Sequence, residues 1–297
     1  MNRSRSFNSL KDADLIKYKA CVFDLDGVLR VGKNIISGSE YILKHLNERG
    51  VKTMILTNEC RYTIDELKDE LSEIGLYVPE ETIIYTAACA ARDYIKSKLE
   101  RFPNKVFNIC VIGELGLYET IMELKEYTNF KSNLNIETSE TGDSKMDLYV
   151  VLGTVNKIKI NHLNKLLKLI KLGAKIITTC KDISDPASKG DFNLGMPMHM
   201  LHMIGFNVNC KIHSYSTGKP NPRIGQYIYK SLGNTISKAS DILFIGDTIY
   251  TDIQLAEETG FKSCLVLSGN TKSDIINLYA IQPDFILDDI NNINDIL

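Results

Sequence analysis

Residues 20–29 read ACVFDLDGVL, an apolar run that ends on two carboxylates one residue apart, Asp24 and Asp26. A short apolar run of this kind reads as a buried strand. In an extended segment residues two apart point the same way, so both carboxylates lie on one side just past the strand. Gly27 lets the backbone turn there and leaves N–H groups free for an anion, as a small nest. Alone, the same residues also fit an ordinary Asp-Gly turn, so other strand ends have to decide between turn and chemistry.

The chain has 297 residues, 44% of them hydrophobic, which allows one large domain or two ordinary ones with a filled core. Its 35 basic and 37 acidic residues leave a formal charge of −2. That balance gives no electrostatic basis for a nucleic-acid or membrane-surface partner, so an anionic substrate has to be met by local charges. The seven cysteines, at 21, 60, 89, 110, 180, 210 and 264, form no CxxC pair and sit mostly in apolar runs. Reduced thiols in a cytoplasmic protein are expected, not a disulfide or zinc framework. No stretch approaches the ~20 apolar residues of a membrane span, and the polar residues 1–17 read as a flexible tail.

Short β-branched runs alternate with segments of helical period, which points to parallel βαβ units and an α/β fold. Ser39 to Arg49 reads as a helix with Tyr41, Ile42, Leu43 and Leu46 inward and Gly50 as its stop. A second helix carries Ile64, Leu67, Leu71 and Ile74 and ends at Gly75. A middle block has its own cycle of strands (VFNICVIG, DLYVVLGT, AKIITTC) and helices. We therefore expect a core built from residues 18–85 and 210–297 with an α/β domain, 86–209, inserted into it. Four runs in the flanking parts, ACVFD, MILTN, LFIGD and LVLSG, share an apolar interior and a small or acidic tip. Parallel strands would align these tips along one edge, where open α/β sheets bind ligands.

At these tips MILTN supplies Thr57 and Asn58, neutral groups suited either to phosphate oxygens or to capping the next helix. LFIGD supplies Asp247, and the loop after it Asp252. Mg²⁺ takes oxygen ligands, and Asp24, Asp247 and one backbone carbonyl meet that demand. Lys219, in STGKPNP, offers a compensating fixed charge. His199 and His202, three apart among Met196, Met198, Met200 and Met203, lack a third metal ligand; the methionines are expected to pack the inserted domain.

In this order Asp24-x-Asp26-Gly27, Thr57-Asn58, Lys219-Pro220 and Gly246-Asp247 with Asp252 resemble the four motifs of the haloacid dehalogenase (HAD) superfamily. The middle block resembles the large α/β cap of its NagD-like branch, which includes 4-nitrophenylphosphatase-like, phosphoglycolate and pyridoxal phosphatases. The likeness covers nearly the whole chain after about residue 18. It implies a Rossmann-like core with a mostly parallel sheet plus a cap, and a Mg²⁺-dependent phosphatase acting on a small phosphate monoester of sugar phosphate, phosphoglycolate, pyridoxal phosphate, nucleotide or 4-nitrophenyl phosphate type. On that reading Asp24 is the nucleophile that forms an aspartyl-phosphate and a metal ligand. Asp26 is the general acid and base, with its backbone carbonyl on the metal. Thr57, Asn58 and Lys219 hold phosphate oxygens, Asp247 ligates Mg²⁺ and Asp252 orients its surroundings.

The chain departs from the family at Glu59, Cys60 and Arg61, where small polar residues are usual, and at Thr179-Cys180-Lys181-Asp182, where T-N-x-D is common. Lys181, Asp182 and the following loop, including GDFNLG at 190–195, are expected to read the organic part of the substrate. Two alternatives stay open: a phosphotransferase or phosphomutase of the same fold, and a non-catalytic protein that binds a phosphorylated metabolite. The resemblance also leaves open a homodimer through the cap.

Overall fold

A computed structural model describes residues 17–132, 147–182, 186, 195–205, 212–233 and 236–293. The expected tail up to residue 16, Cys210 and most of the loop from 183 to 194 lie outside the described residues.

The opening run forms β1 (Ala20–Phe23), all of it buried, and the small antiparallel hairpin β2 (Arg30–Val31) and β3 (Asn34–Ile35) follows the paired aspartates. In chain order come β4 (Lys52–Thr57), β5 (Ile83–Thr86), β6 (Phe107–Ile112), β7 (Phe130–Ser132), β8 (Asp147–Leu152), β9 (Lys175–Thr178), β10 (Ser214–Ser216), β11 (Ile242–Gly246), β12 (Lys262–Val266) and β13 (Phe285–Leu287). A six-stranded parallel sheet has the order β13-β12-β11-β1-β4-β5, and a five-stranded parallel sheet has the order β10-β9-β8-β6-β7. The fold is α/β, as the alternation of runs requires.

Strand order explains why the four tips converge. From β1 the chain moves outward through β4 and β5, then returns to β11 on the other side of β1. The order reverses at β1, so the carboxyl ends of β4, β1 and β11 border one crevice, the usual ligand position in such sheets. Both faces of the sheet are covered. Cys21 and Phe23 pack with Ile42, Leu46, Leu67 and Leu71, while Ala20 and Val22 pack with Ile224, Ile228 and Leu255. This period-two split, with apolar residues at every position, is what a strand buried on both faces demands.

The helix Ser39–Glu48 buries Ile42, Leu43 and Leu46 as expected, but Tyr41 is 61% exposed and His45 takes the inward place. Tyr41 lies five residues from Leu46, more than a full turn, which puts it on the far side of the helix. Gly50, at φ +77°, donates to Asn47 O at 2.9 Å and closes the helix. The helix Ile64–Glu73 is capped by Thr63, not by Thr57 or Asn58. Thr63 Oγ accepts from Glu66 N at 3.2 Å, and Glu66 Oε2 accepts from Thr63 N at 2.8 Å. The pair at the end of β4 is thereby left for another use.

The second sheet packs helices Ala87–Arg101 and Leu115–Met122 on one face and Ile160–Lys171 and Pro197–Gly205 on the other. Met200 is buried there with Met198 and Met203 against it, and His202 is exposed. This sheet extends past the boundary expected at 209, because Ser214–Ser216 pairs beside β9. The return to the first sheet is made by the helix Arg223–Leu232. The six described cysteines are buried and unpaired, and no helix among the described residues is long and apolar enough to cross a membrane.

Two substitutions in one helix separate capping from packing. Thr63→Ala should cost about 1 kcal/mol and the fully buried Leu71→Ala about 2–5 kcal/mol, read as shifts of urea midpoints at constant slope.

Candidate active site

Asp24 leaves the end of β1 with its N–H still in the ladder, on Ile245 O at 2.8 Å, and its Oδ1 accepts from Leu25 N at 2.7 Å. Asp247 follows β11 directly. Asp252 stands one turn on, where its Oδ2 accepts from the backbone N–H groups of Asp247 and Thr248 at 3.1 and 3.0 Å. Gly246 makes that turn feasible: a Cβ there would collide with the Asp252 side chain. Lys219, 2% exposed, closes the group with Nζ 2.6 Å from Asp24 Oδ1 and 2.7 Å from Asp252 Oδ1.

Three buried carboxylates share one ammonium. Asp24, Asp247 and Asp252 can place one oxygen each within 4.8 Å of one another. Burial raises Asp24 well above the ordinary carboxylate range, and Lys219 offsets this only in part. Asp247 is pushed up to about 7 by burial and by Asp252. Burial alone would pull Lys219 down, but Asp24 and Asp252 outweigh it and hold the ammonium above the lysine range. The cluster is short of positive charge and made of hard oxygen donors, which fits a divalent cation. Asp24, Asp247 and Asp252 are the carboxylates that could hold it.

Asp26 points into the same cavity as Asp24 but has a different surrounding. Arg30 Nε donates to its Oδ1 at 3.0 Å, and Arg30, 3% exposed, also reaches Glu70 at 2.8 Å. Burial raises the Asp26 pKa, with Arg30 opposing. Gly27 departs from expectation. Its N–H is not free for an anion, because the turn folds back so that it donates to Arg30 O at 2.7 Å. What Gly27 supplies instead is room: at φ +92°, a Cβ would stand 2.5 Å from Asp247 Oδ2. Its carbonyl accepts from Ser268 Oγ at 2.6 Å.

Thr57 Oγ accepts from Glu59 N at 3.0 Å and lines the cavity. Asn58 is more committed than its sequence suggested. Its Oδ1 accepts from Lys219 N at 2.9 Å, and its Nδ2 donates at 2.7 Å to Asp182 Oδ2, across from the second sheet. It aligns the lysine and the cap, with less left for phosphate. Asp182 lines the cavity and is raised to about 6 by burial. Lys181 does not share that position; it is exposed, since its neighbour takes the inward direction. Cys60 is buried among the apolar residues of the second sheet, where Thr154 N donates to its Sγ at 3.3 Å. Asn270 and Thr248 were not anticipated, although the LVLSG tip leads straight to Asn270. Asn270 N donates to Asp247 Oδ2 at 2.6 Å and Thr248 Oγ to Oδ1 at 2.9 Å.

Two family profiles match the segments that carry these groups. Haloacid dehalogenase-like hydrolase covers residues 21–125 and HAD-hydrolase-like covers 216–293, together more than half of the chain. The chain belongs to the haloacid dehalogenase-like hydrolases. Among relatives of this HAD chain, dihydroxyacetone phosphatase of Corynebacterium glutamicum is 28% identical over 273 residues, 92% of this chain and 89% of that protein. A 4-nitrophenylphosphatase from Thermotoga maritima shares the fold at TM-score 0.75 and 22% identity, over 95% of this chain and 98% of that one. A glycerol phosphate phosphatase from Mycobacterium tuberculosis, solved with magnesium, matches at TM-score 0.72 and 19% identity, over 96% of this chain and 78% of that one.

The repulsion in the HAD cluster has a sign that can be measured. Asp247 has a raised pKa in the fold, so its ionisation opposes folding as pH rises through that value. Asp247→Asn should therefore raise the melting temperature of the metal-free protein at pH 8, while cancelling most of the increase that millimolar divalent cation gives the parent. Differential scanning calorimetry with and without cation reads both.

Proposed function

We propose that the protein is a Mg²⁺-dependent phosphatase that hydrolyses small phosphate monoesters through an aspartyl-phosphate on Asp24. The observation that carries this reading is Lys219 Nζ held between Asp24 and Asp252 beside the Asp247 carboxylate. The relatives named as phosphatases of dihydroxyacetone phosphate and of 4-nitrophenyl and glycerol phosphates support the ester class, and the magnesium in one of them supports the metal. Asp24 and Asp247, with the backbone carbonyl of Asp26, would hold the cation, which when bound offsets the repulsion between phosphate and carboxylates.

Lys219 offsets part of the burial that disfavours the Asp24 carboxylate, a bound cation would supply the rest of the charge the nucleophile requires, and the ammonium faces the phosphoryl oxygens that gather there. Attack by an Asp24 oxygen on phosphorus forms the acyl phosphate as the ester oxygen leaves in line. Asp26, raised by burial and held in place by Arg30, delivers a proton to that oxygen and then takes one from the water that hydrolyses the acyl phosphate. Thr57 donates its hydroxyl toward phosphate. Asn58 and Asp182 keep Lys219 and the cap side of the cavity in register. The substrate is a small phosphorylated metabolite, as a cavity lined from the second sheet's side by Thr154, Asp182 and Met196 favours.

Asp24→Asn should lower Mg²⁺-dependent turnover at least ~10³-fold, and retention of more than a few per cent would contradict the covalent route. For Asp26→Asn the loss should be about 10²–10⁴-fold with an alkyl phosphate and smaller with 4-nitrophenyl phosphate, whose leaving group needs no proton. A chelator should abolish activity and added Mg²⁺ restore it.

A further inference from the structure

The loop after β4 contains a buried carboxylate that takes no part in the chemistry above. Glu59, its side chain 3% exposed, lines the same cavity as Asp24, Asp26 and Asp182. A further negative charge in that place is unfavourable unless it is neutralised and hydrogen-bonded. Arg61, two residues on, does both. Arg61 Nε donates at 3.0 Å to each Glu59 oxygen and Nη2 donates to Oε2 at 2.5 Å. The backbone N–H groups of Cys60 and Arg61 donate to Oε1 at 2.8 and 2.6 Å.

This arrangement fixes the guanidinium plane from one side. On the other, Nη1 donates at 3.0 Å to Asn156 Oδ1, on the loop after β8, and Asn156 is itself anchored by its N–H on Glu114 Oε1 at 2.7 Å. Arg61 thus spans the cavity wall from the first sheet to the second. A guanidinium has five N–H groups, and after these bonds Nη1 and Nη2 each keep one without an acceptor among the described residues. Arg61 lines the same cavity as Asp26, the residue assigned to the leaving oxygen. Lys219, by contrast, touches Asp24.

We infer that Arg61, tethered by Glu59, selects the leaving group by donating hydrogen bonds to hydroxyl or carbonyl oxygens of a small polyol or sugar phosphate. The inference rests on the phosphatase reading and assigns its specificity. Glu59 cancels the guanidinium charge, so the pair favours neutral oxygen acceptors. A second carboxylate or phosphate on the substrate would meet Asp26, Asp182 and Glu59 with only a neutralised cation to answer them.

The test uses steady-state kinetics of the full chain in Mg²⁺ buffer with three esters. Glycerol 3-phosphate carries hydroxyls, phenyl phosphate has no oxygen beyond the ester, and 2-phosphoglycolate carries a carboxylate. Combining Arg61→Met with Glu59→Gln removes the fork without leaving an unpaired buried charge. In this variant the ratio of kcat/KM for glycerol 3-phosphate over phenyl phosphate should fall at least fivefold, mainly through KM. Glu59→Gln alone frees the Arg61 charge, and the ratio for 2-phosphoglycolate over glycerol 3-phosphate should rise at least threefold. Smaller changes in these ratios, with all esters affected in parallel, overturn the assignment and leave the phosphatase reading intact. If the double variant does not fold, Glu59→Gln decides alone. A parent protein that hydrolyses none of the three overturns the phosphatase reading, and this inference with it.

Discussion

Everything at the catalytic edge depends on one buried ammonium. Lys219 touches Asp24 and Asp252, which stand at the ends of neighbouring strands, β1 and β11, and comes from a loop far from both in sequence. Taking one partner from a buried ion pair costs roughly 3–5 kcal/mol, so these residues constrain one another strongly. Gly246 yields the space Asp252 needs, and Gly27 yields the space for Asp247. The sheet has to bring β1 and β11 side by side for Lys219 to bridge Asp24 and Asp252 at all. Function and topology are therefore set by the same contacts.

Such a cluster works against folding. Burial and the neighbouring carboxylates raise the pKa of Asp24 and of Asp247, and the apolar packing on both faces of the sheet must outweigh that strain. The fold holds a charge deficit in reserve, and a cation or a substrate's chemistry can draw on it. This matches the general pattern in which active sites are locally unfavourable and supported by their surroundings.

Much of this was legible in the sequence because it follows from period and order. Four apolar runs with polar tips gave the edge, and Asp24, Asp26, Lys219, Asp247 and Asp252 all came to it. What was missed depended on long-range partners. Nothing local in the sequence shows that the chain folds back so that Gly27 N–H meets Arg30 O. The bond from Asn58 to Asp182 spans the whole inserted segment, so nothing local reveals it. Tyr41 is apolar enough to suit a core, but the helical angle puts it outside. Ser214–Ser216 joined the other sheet because strand pairing is chosen by available edges, which composition does not reveal. Glu59 and Arg61 stood out in the sequence only as unusual residues, and their geometry gave them meaning.

Asn58 links two things that are usually considered apart. One end of its amide holds the backbone of Lys219 and the other holds Asp182, on the far side of the cavity. Separating the two sheets at this point breaks the bond to Asp182, and the same amide is then free to turn away from the lysine. Entry of a metabolite and readiness of the ammonium are in that case not independent events. One amide thereby couples the placement of the lysine to the seating of the second sheet.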